Sequence, residues 1–255
     1  MCGIVGHLGP ENSVATVVEG LKRLEYRGYD SAGVSFLDRD FKLKIVKKEG
    51  KLINLKNELD ALNESIEKYN AFSCIGHTRW ATHGEVNDAN SHPHSEGNIS
   101  LVHNGIIENA GELREKYLKN YEFKSKTDSE VYLALVDRFL AKGKDLLKSL
   151  IESFELLEGN SAFVILDGKT GDIYALKDGA PLVCGIHSVN SNALVSSDPY
   201  ALIGLADKLY FPDDKVVCHI SSANDNLLNF YEFNGSSSTR YRSKRQDMSL
   251  EVTEK

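Results

Sequence analysis

The apolar residues of this chain are cut into short runs, and that pattern limits the folds open to it. Ser161–Leu166 and Ile173–Leu176 flank a Gly-Lys-Thr-Gly turn and read as a hairpin. Val183–Ile186, Ala193–Ser196 and Val216–Ile220 follow as further short strands, and Ser197-Asp198-Pro199 reads as a cap with proline at the first helical position. In the first half, Cys2–Leu8, Ala71–Ile75 and Ile99–Val102 are apolar strands, and Phe41–Ile45 alternates apolar and charged residues as a half-buried strand does. Helical spacing intervenes twice. Val14, Val17, Val18, Leu21 and Leu24, with Asn12 or Ser13 as cap, form one stripe, and Leu52, Leu55, Leu59, Leu62, Ile66 and Tyr69 form the next. Later, Thr127-Asp128-Ser129-Glu130 fits a capping box ahead of Val131, Leu135 and Phe139, and Leu146, Leu147, Leu150, Ile151 and Phe154 continue the period. Strands in hairpins with helical blocks inserted predict an α+β fold of antiparallel sheets covered by helices.

Composition narrows the function classes. A chain of 255 residues with net charge −7 can bury a substantial core and offers no basic stripe for nucleic acid. No apolar run approaches the roughly 20 residues that span a bilayer, and no signal peptide opens the chain. Its 4 cysteines (Cys2, Cys74, Cys184, Cys218) lack metal-type spacing, so neither zinc nor a disulfide framework is expected. These features fit a cytoplasmic protein. Residues 1–240 read as one domain, and 241–255 as a polar C-terminal tail or linker.

Position 2 is the most informative place in the sequence. A small residue there permits removal of Met1, which leaves Cys2 with a thiol and a free α-amine. The amine titrates near pH ~8 and the thiol near ~8.5, so the amine can hold the thiol's proton at neutral pH. Four segments supply matching chemistry. Leu24–Gly33 sets Arg27 beside Gly28 in a turn-rich stretch, and Gly76–Gly84 gathers Arg79, Trp80, Thr82 and His83 in a loop after a strand. Val102–Asn109 places the Asn104 amide beside the Gly105 N–H at a strand end, and Thr127-Asp128 adds an acid at a helix start.

The blocks Tyr-Arg-Gly-Tyr-Asp-Ser-Ala-Gly, His-Thr-Arg-Trp-Ala-Thr-His-Gly and His-Asn-Gly-Ile-Ile-Glu-Asn, together with Cys2-Gly3-Ile4, resemble class II (N-terminal nucleophile) glutamine amidotransferases. The resemblance is greatest to the glutaminase domains of glucosamine-6-phosphate synthases and runs from Cys2 to about Asp247. It implies the four-layer α/β/β/α sandwich of N-terminal nucleophile hydrolases. It also implies Cys2 as nucleophile toward L-glutamine, with Asn104 and Gly105 as oxyanion donors. Arg79 would meet the substrate carboxylate, Asp128 its ammonium, and Trp80, Thr82 and His83 would lie in the covering loop. Arg27 and Gly28 would brace Cys2 and Asn104. No cofactor is implied. The sugar-isomerase domains of those synthases find no counterpart here, which leaves their ammonia acceptor, or a separate acceptor enzyme, as the expected partner; oligomerisation stays open.

Other readings compete. A standalone glutaminase subunit would keep the same site, a different amide hydrolase would keep Cys2 without needing Arg79 and Asp128, and a non-catalytic module would need none of them. Arg79 could be a surface ion pair, Trp80 packing alone, and Asp128 only a helix-terminal acid. His77, His92, His94 and His103 fall on different segments with no acidic ligand set, so hydrogen-bonded core histidines are expected rather than a metal site.

Overall fold

In the computed structural model, residues 2–38, 40–63, 65–80, 87–223, 226–234, 237–240 and 245–247 are described. Gly3–Leu8 (β1) is buried along its whole length because it lies inside an eight-stranded sheet. On one side of it come β4 (Ala71–Arg79), β2 (Ser31–Asp38) and β3 (Leu43–Glu49). On the other come β10 (Asn192–Ser196), β9 (Val183–His187), β11 (Lys208–Tyr210) and β15 (Arg245–Asp247). A second sheet has seven strands. Its order begins β5 (His94–Glu96), β6 (Ile99–Gly105), β7 (Ser161–Asp167) and β8 (Ile173–Asp178). It continues through β12 (Val216–Ile220), β13 (Leu228–Asn234) and β14 (Ser237–Arg240). Every ladder between these strands is antiparallel.

The two-residue period of a strand sorts the core into layers. Ile4, Leu8 and Ile75 from the first sheet meet Val102, Val164 and Ala175 from the second. Val5 and Cys74, one step along their strands, face α1 (Ser13–Arg23) and α2 (Leu52–Asn63) instead. Leu101, Phe163 and Leu176 point the opposite way from the second sheet, toward α3 (Ala110–Tyr117), α4 (Ser129–Ala141) and α5 (Leu146–Phe154). The result is helix, sheet, sheet, helix, the α+β sandwich expected. Between the sheets the side chains are mostly aliphatic and small, including Ala162, Ala175, Ala193, Cys184 and Cys218, which suits face-to-face sheets about 10 Å apart. At the start of α1 the Asn12 side chain accepts from the Val14 and Ala15 N–H groups, at 3.1 and 3.2 Å.

Several local expectations are corrected. β3 begins at Leu43, not Phe41; Phe41 has φ 56° in a turn where the Asp38 carboxylate accepts from the Asp40 and Lys42 N–H groups. The second helical stripe breaks: α2 stops at Asn63, Ile66–Lys68 forms a 3-10 turn, and Tyr69 is extended. Leu62 is consequently exposed, while Asp60 accepts from the Ile66 N–H at 2.6 Å and stabilises the break. The turn-rich reading of Leu24–Gly33 holds only to Asp30, because Ser31 already pairs with Glu49 and Arg79 in β2. The capping box does not form. Asp128 is the residue before α4, and the Glu130 carboxylate turns back to accept from the Lys124 and Ser125 N–H groups, at 2.7 and 2.6 Å. Within the polar stretch near the C-terminal end, β14 pairs with β13 and β15 with β11.

Candidate active site

Three strand ends meet at Cys2, those of β1, β4 and β6. Because β1 and β4 are antiparallel with Gly3 opposite Thr78, the residue before β1 faces the end of β4. The Trp80 N–H donates to Cys2 Sγ at 3.2 Å, and the thiol lies 3.7 Å from the Trp80 carbonyl oxygen. From the second sheet, the last residues of β6 bring Asn104, whose Nδ2 donates to the Cys2 carbonyl at 3.1 Å. Burial pushes the Cys2 thiol pKa up, while the Trp80 N–H and the charges of Arg79 and Arg27 pull it down. The other three cysteines are free and buried.

Two glycines are needed sterically. A Cβ on Gly28 would lie 2.7 Å from the Arg79 carbonyl carbon and 2.9 Å from the Trp80 nitrogen, so this backbone is packed directly on the peptide that contacts Cys2. Gly105 has φ 138°, and a Cβ there would lie 2.1 Å from the Asn160 carbonyl oxygen. Only glycine suits that position.

Arg79 is buried at the end of β4. Arg27, also buried, donates through Nη1 to the Asp198 carboxylate at 2.9 Å and the Ser197 carbonyl at 3.4 Å. Ser197 Oγ in turn accepts from the Ile4 N–H at 3.0 Å, which links this arginine through Ser197 to β1 two residues beyond Cys2. Asp128 accepts from the Ile107 N–H at 2.7 Å, which ties the start of α4 to the segment just after Gly105. Trp80 is 44% exposed and meets Tyr29 edge-on at 5.5 Å, so its ring is not a core residue. Thr82 and His83 lie outside the described residues.

The four histidines, expected on separate segments, come from three, because His92 and His94 stand two residues apart at the entry to β5 while His77 lies in β4 and His103 in β6; the fold brings them together. The ring of His92 lies 4.3 Å from that of His77, 4.7 Å from His94 and 6.5 Å from His103. All four are buried, and burial lowers each pKa: His77 to about 3, His103 to about 4, His92 and His94 well below 6.5. They are therefore neutral at pH 7. His77 Nε2 lies 3.0 Å from Asn104 Oδ1, a link to the site that spacing along the chain did not signal. Among the described residues, no group of three or more His, Cys, Asp or Glu is arranged to hold a metal ion.

Two antiparallel sheets packed face to face bring Cys2 against the Asn104 carboxamide and the Trp80 N–H, and the class this chain falls in is that of the amidotransferase domains. The chain belongs to the glutamine amidotransferase domain family, whose model matches residues 77–204. It is 46% identical over 222 residues to the glutamine–fructose-6-phosphate aminotransferase (isomerizing) of Clostridium acetobutylicum, covering 85% of this chain and 35% of that protein. To the enzyme of the same name from Helicobacter pylori it is 39% identical over 234 residues, covering 91% of this chain and 38% of that one. The chain thus spans about a third of the length of these curated relatives. A glutamine phosphoribosylpyrophosphate amidotransferase from B. subtilis, solved with ADP and GMP, shares the fold at TM-score 0.75 and 24% identity, covering 98% of this chain and 50% of that chain.

Proposed function

We propose that this chain hydrolyses L-glutamine to glutamate and ammonia through a thioester on Cys2, once Met1 is removed. In this reading the freed α-amine takes the thiol proton as Sγ attacks the side-chain carbonyl carbon of glutamine. Asn104 Nδ2 and the Gly105 N–H hold the oxyanion, and a pair of preorganised donors of this kind contributes several kcal/mol to the transition state. Collapse breaks the C–N bond; the proton on the amine passes to the leaving nitrogen, and ammonia departs. Water then adds to the thioester with the amine as base, releasing glutamate and restoring the thiol. Arg79 binds the α-carboxylate with its planar fork, and Asp128 the α-ammonium. Trp80, Thr82 and His83 cover the substrate, and Arg27 and Gly28 keep the Cys2 end of the chain in place. No metal or organic cofactor enters these steps.

The observation that carries this reading is the convergence on Cys2 of the Asn104 amide and the Trp80 N–H, at 3.1 Å from its carbonyl oxygen and 3.2 Å from its sulfur. The test is glutamate release from L-glutamine after the mass of the N-terminus has been measured. Cys2→Ala should abolish release, and Asn104→Ala should lower kcat by about 10²-fold or more. Because the base must be neutral, activity should rise with pH through the α-amine pKa, near ~8. Activity that survives Cys2→Ala, or carbamylation of the α-amine, would refute the mechanism.

The names of the relatives pair glutamine with fructose 6-phosphate, and in our reading an acceptor unit that binds this sugar consumes the ammonia, in the cytoplasm, for amino-sugar synthesis. The chain alone should then form glutamate and ammonia but no glucosamine 6-phosphate, with or without fructose 6-phosphate. Amino-sugar synthesis by the chain alone would overturn that division of labour.

A further inference from the structure

We propose that His77 is a positioning residue for glutamine hydrolysis: its Nε2–H fixes which end of the Asn104 amide is turned toward Cys2. The inference rests on the reading of Asn104 as an oxyanion donor and goes beyond it to what aims that donor.

An asparagine amide has an oxygen end and a nitrogen end of nearly equal size, and only its hydrogen-bond partners decide which way it points. His77 Nε2 lies 3.1 Å from the His103 carbonyl oxygen and 3.0 Å from the Asn104 amide oxygen. A backbone carbonyl can only accept, so Nε2 of His77 must carry the hydrogen. The atom of Asn104 facing that N–H must then be Oδ1, and Nδ2 is left to face Cys2, where it donates to the carbonyl at 3.1 Å. With the amide reversed, Oδ1 would meet the Cys2 carbonyl oxygen and Nδ2 would meet an N–H, two repulsive contacts in place of two bonds.

The remaining histidines hold that polarity. Nε2 of His77 carries its only proton, and no acceptor faces its buried Nδ1 to hold a second one there. His92 Nδ1, 3.2 Å from His77 Nε2, is then a lone pair, so His92 Nε2–H donates to Ser129 Oγ at 3.0 Å. The Ser129 hydroxyl is free to donate to His103 Nδ1 at 2.9 Å, and His103 Nε2–H reaches Ser161 Oγ at 3.2 Å. His92 and His103 each supply one donor and one acceptor, and from His77 the hydrogens run by way of His92 and Ser129 to His103 and Ser161. The chain of bonds starts at Asn104 and passes through Ser129, the residue after Asp128.

The test compares glutamine hydrolysis by the full chain carrying His77→Gln, His77→Asn and His77→Phe. The Gln amide nitrogen reaches the position of Nε2, so His77→Gln should keep kcat within about fivefold of wild type. The shorter Asn and the apolar Phe remove that donor and should lower kcat by about 10- to 100-fold, with KM within about threefold. Alkylation of Cys2 by iodoacetamide, which needs no oxyanion donor, should keep its wild-type rate in the same variants. If His77→Phe fails to fold, the Gln and Asn pair decides alone. His77→Asn/Asn104→Ala should be no slower than Asn104→Ala, because both changes remove one function. Multiplied losses, equal activity of the Gln and Asn variants, or a loss confined to KM would each overturn the proposal. A fully active Asn104→Ala would instead remove the oxyanion reading on which the proposal rests, and the proposal with it.

Discussion

The site is decided at single atoms, and Gly28 shows how narrow the tolerance is. Its neighbours are the Arg79 carbonyl carbon and the Trp80 nitrogen, both backbone and neither able to swing aside as a side-chain tip would. Gly28→Ala should therefore push the Trp80 N–H away from the sulfur of Cys2. The expected outcome is a loss of kcat/KM of tenfold or more with little change in thermal midpoint, read by steady-state kinetics beside a melting curve. An unchanged kcat/KM would show that this peptide does not hold the thiol. At this scale much was legible in the sequence. Cys2, Arg79 and Asn104 were picked out from separate short blocks, and the fold brings those three blocks together. The bond from His77 to Asn104 was not legible, because it crosses from one sheet to the other and depends on the separation of β4 and β6 rather than on any spacing along the chain.

Among the elements, short apolar runs could be read even where both faces are buried, as in β1 and β10, whereas a buried strand built partly from small polar residues could not. β2 is the clearest case: Ser-Ala-Gly-Val-Ser-Phe-Leu is buried throughout, so no alternation betrays it, and its two serines and glycine resemble a loop. α3 escaped for the opposite reason, since Ala110–Tyr117 buries only Leu113 and the rest of it is polar. Helix starts were read unevenly. Asn12 caps α1 as its residue type suggests, and Asn12→Ala should lower stability by about 1 kcal/mol, measured as a shift in urea midpoint without loss of site geometry. Thr127 and Glu130 carry the right letters for a reciprocal cap, but Glu130 is claimed by two backbone N–H groups upstream and Thr127 by His94. Tertiary demand outweighed the local pattern there.

For the whole molecule, the burial of neutral histidines makes stability depend on acid. His7, His77 and His103 have folded pKa values lowered by burial to about 4, 3 and 4, against ~6.5 in an unfolded chain. A lowered pKa means that the unfolded state binds protons first as pH falls. Their contribution is therefore intact above pH ~6.5 and is lost progressively toward about 4. Urea midpoints should drop steadily from pH 7 to 5; a flat profile over that interval would contradict the burial of neutral rings. No described helix is long and apolar enough to cross a membrane.

The pairing of β1 with β10 also orders events in time. The bond from the Ile4 N–H to Ser197 joins positions 193 residues apart, and at about 5–20 residues per second the ribosome needs on the order of 10–40 s to supply the later partner. Throughout that interval β1 lacks the strand that flanks it on one side. The terminus that carries Cys2 is thus made long before the fold around it can be completed.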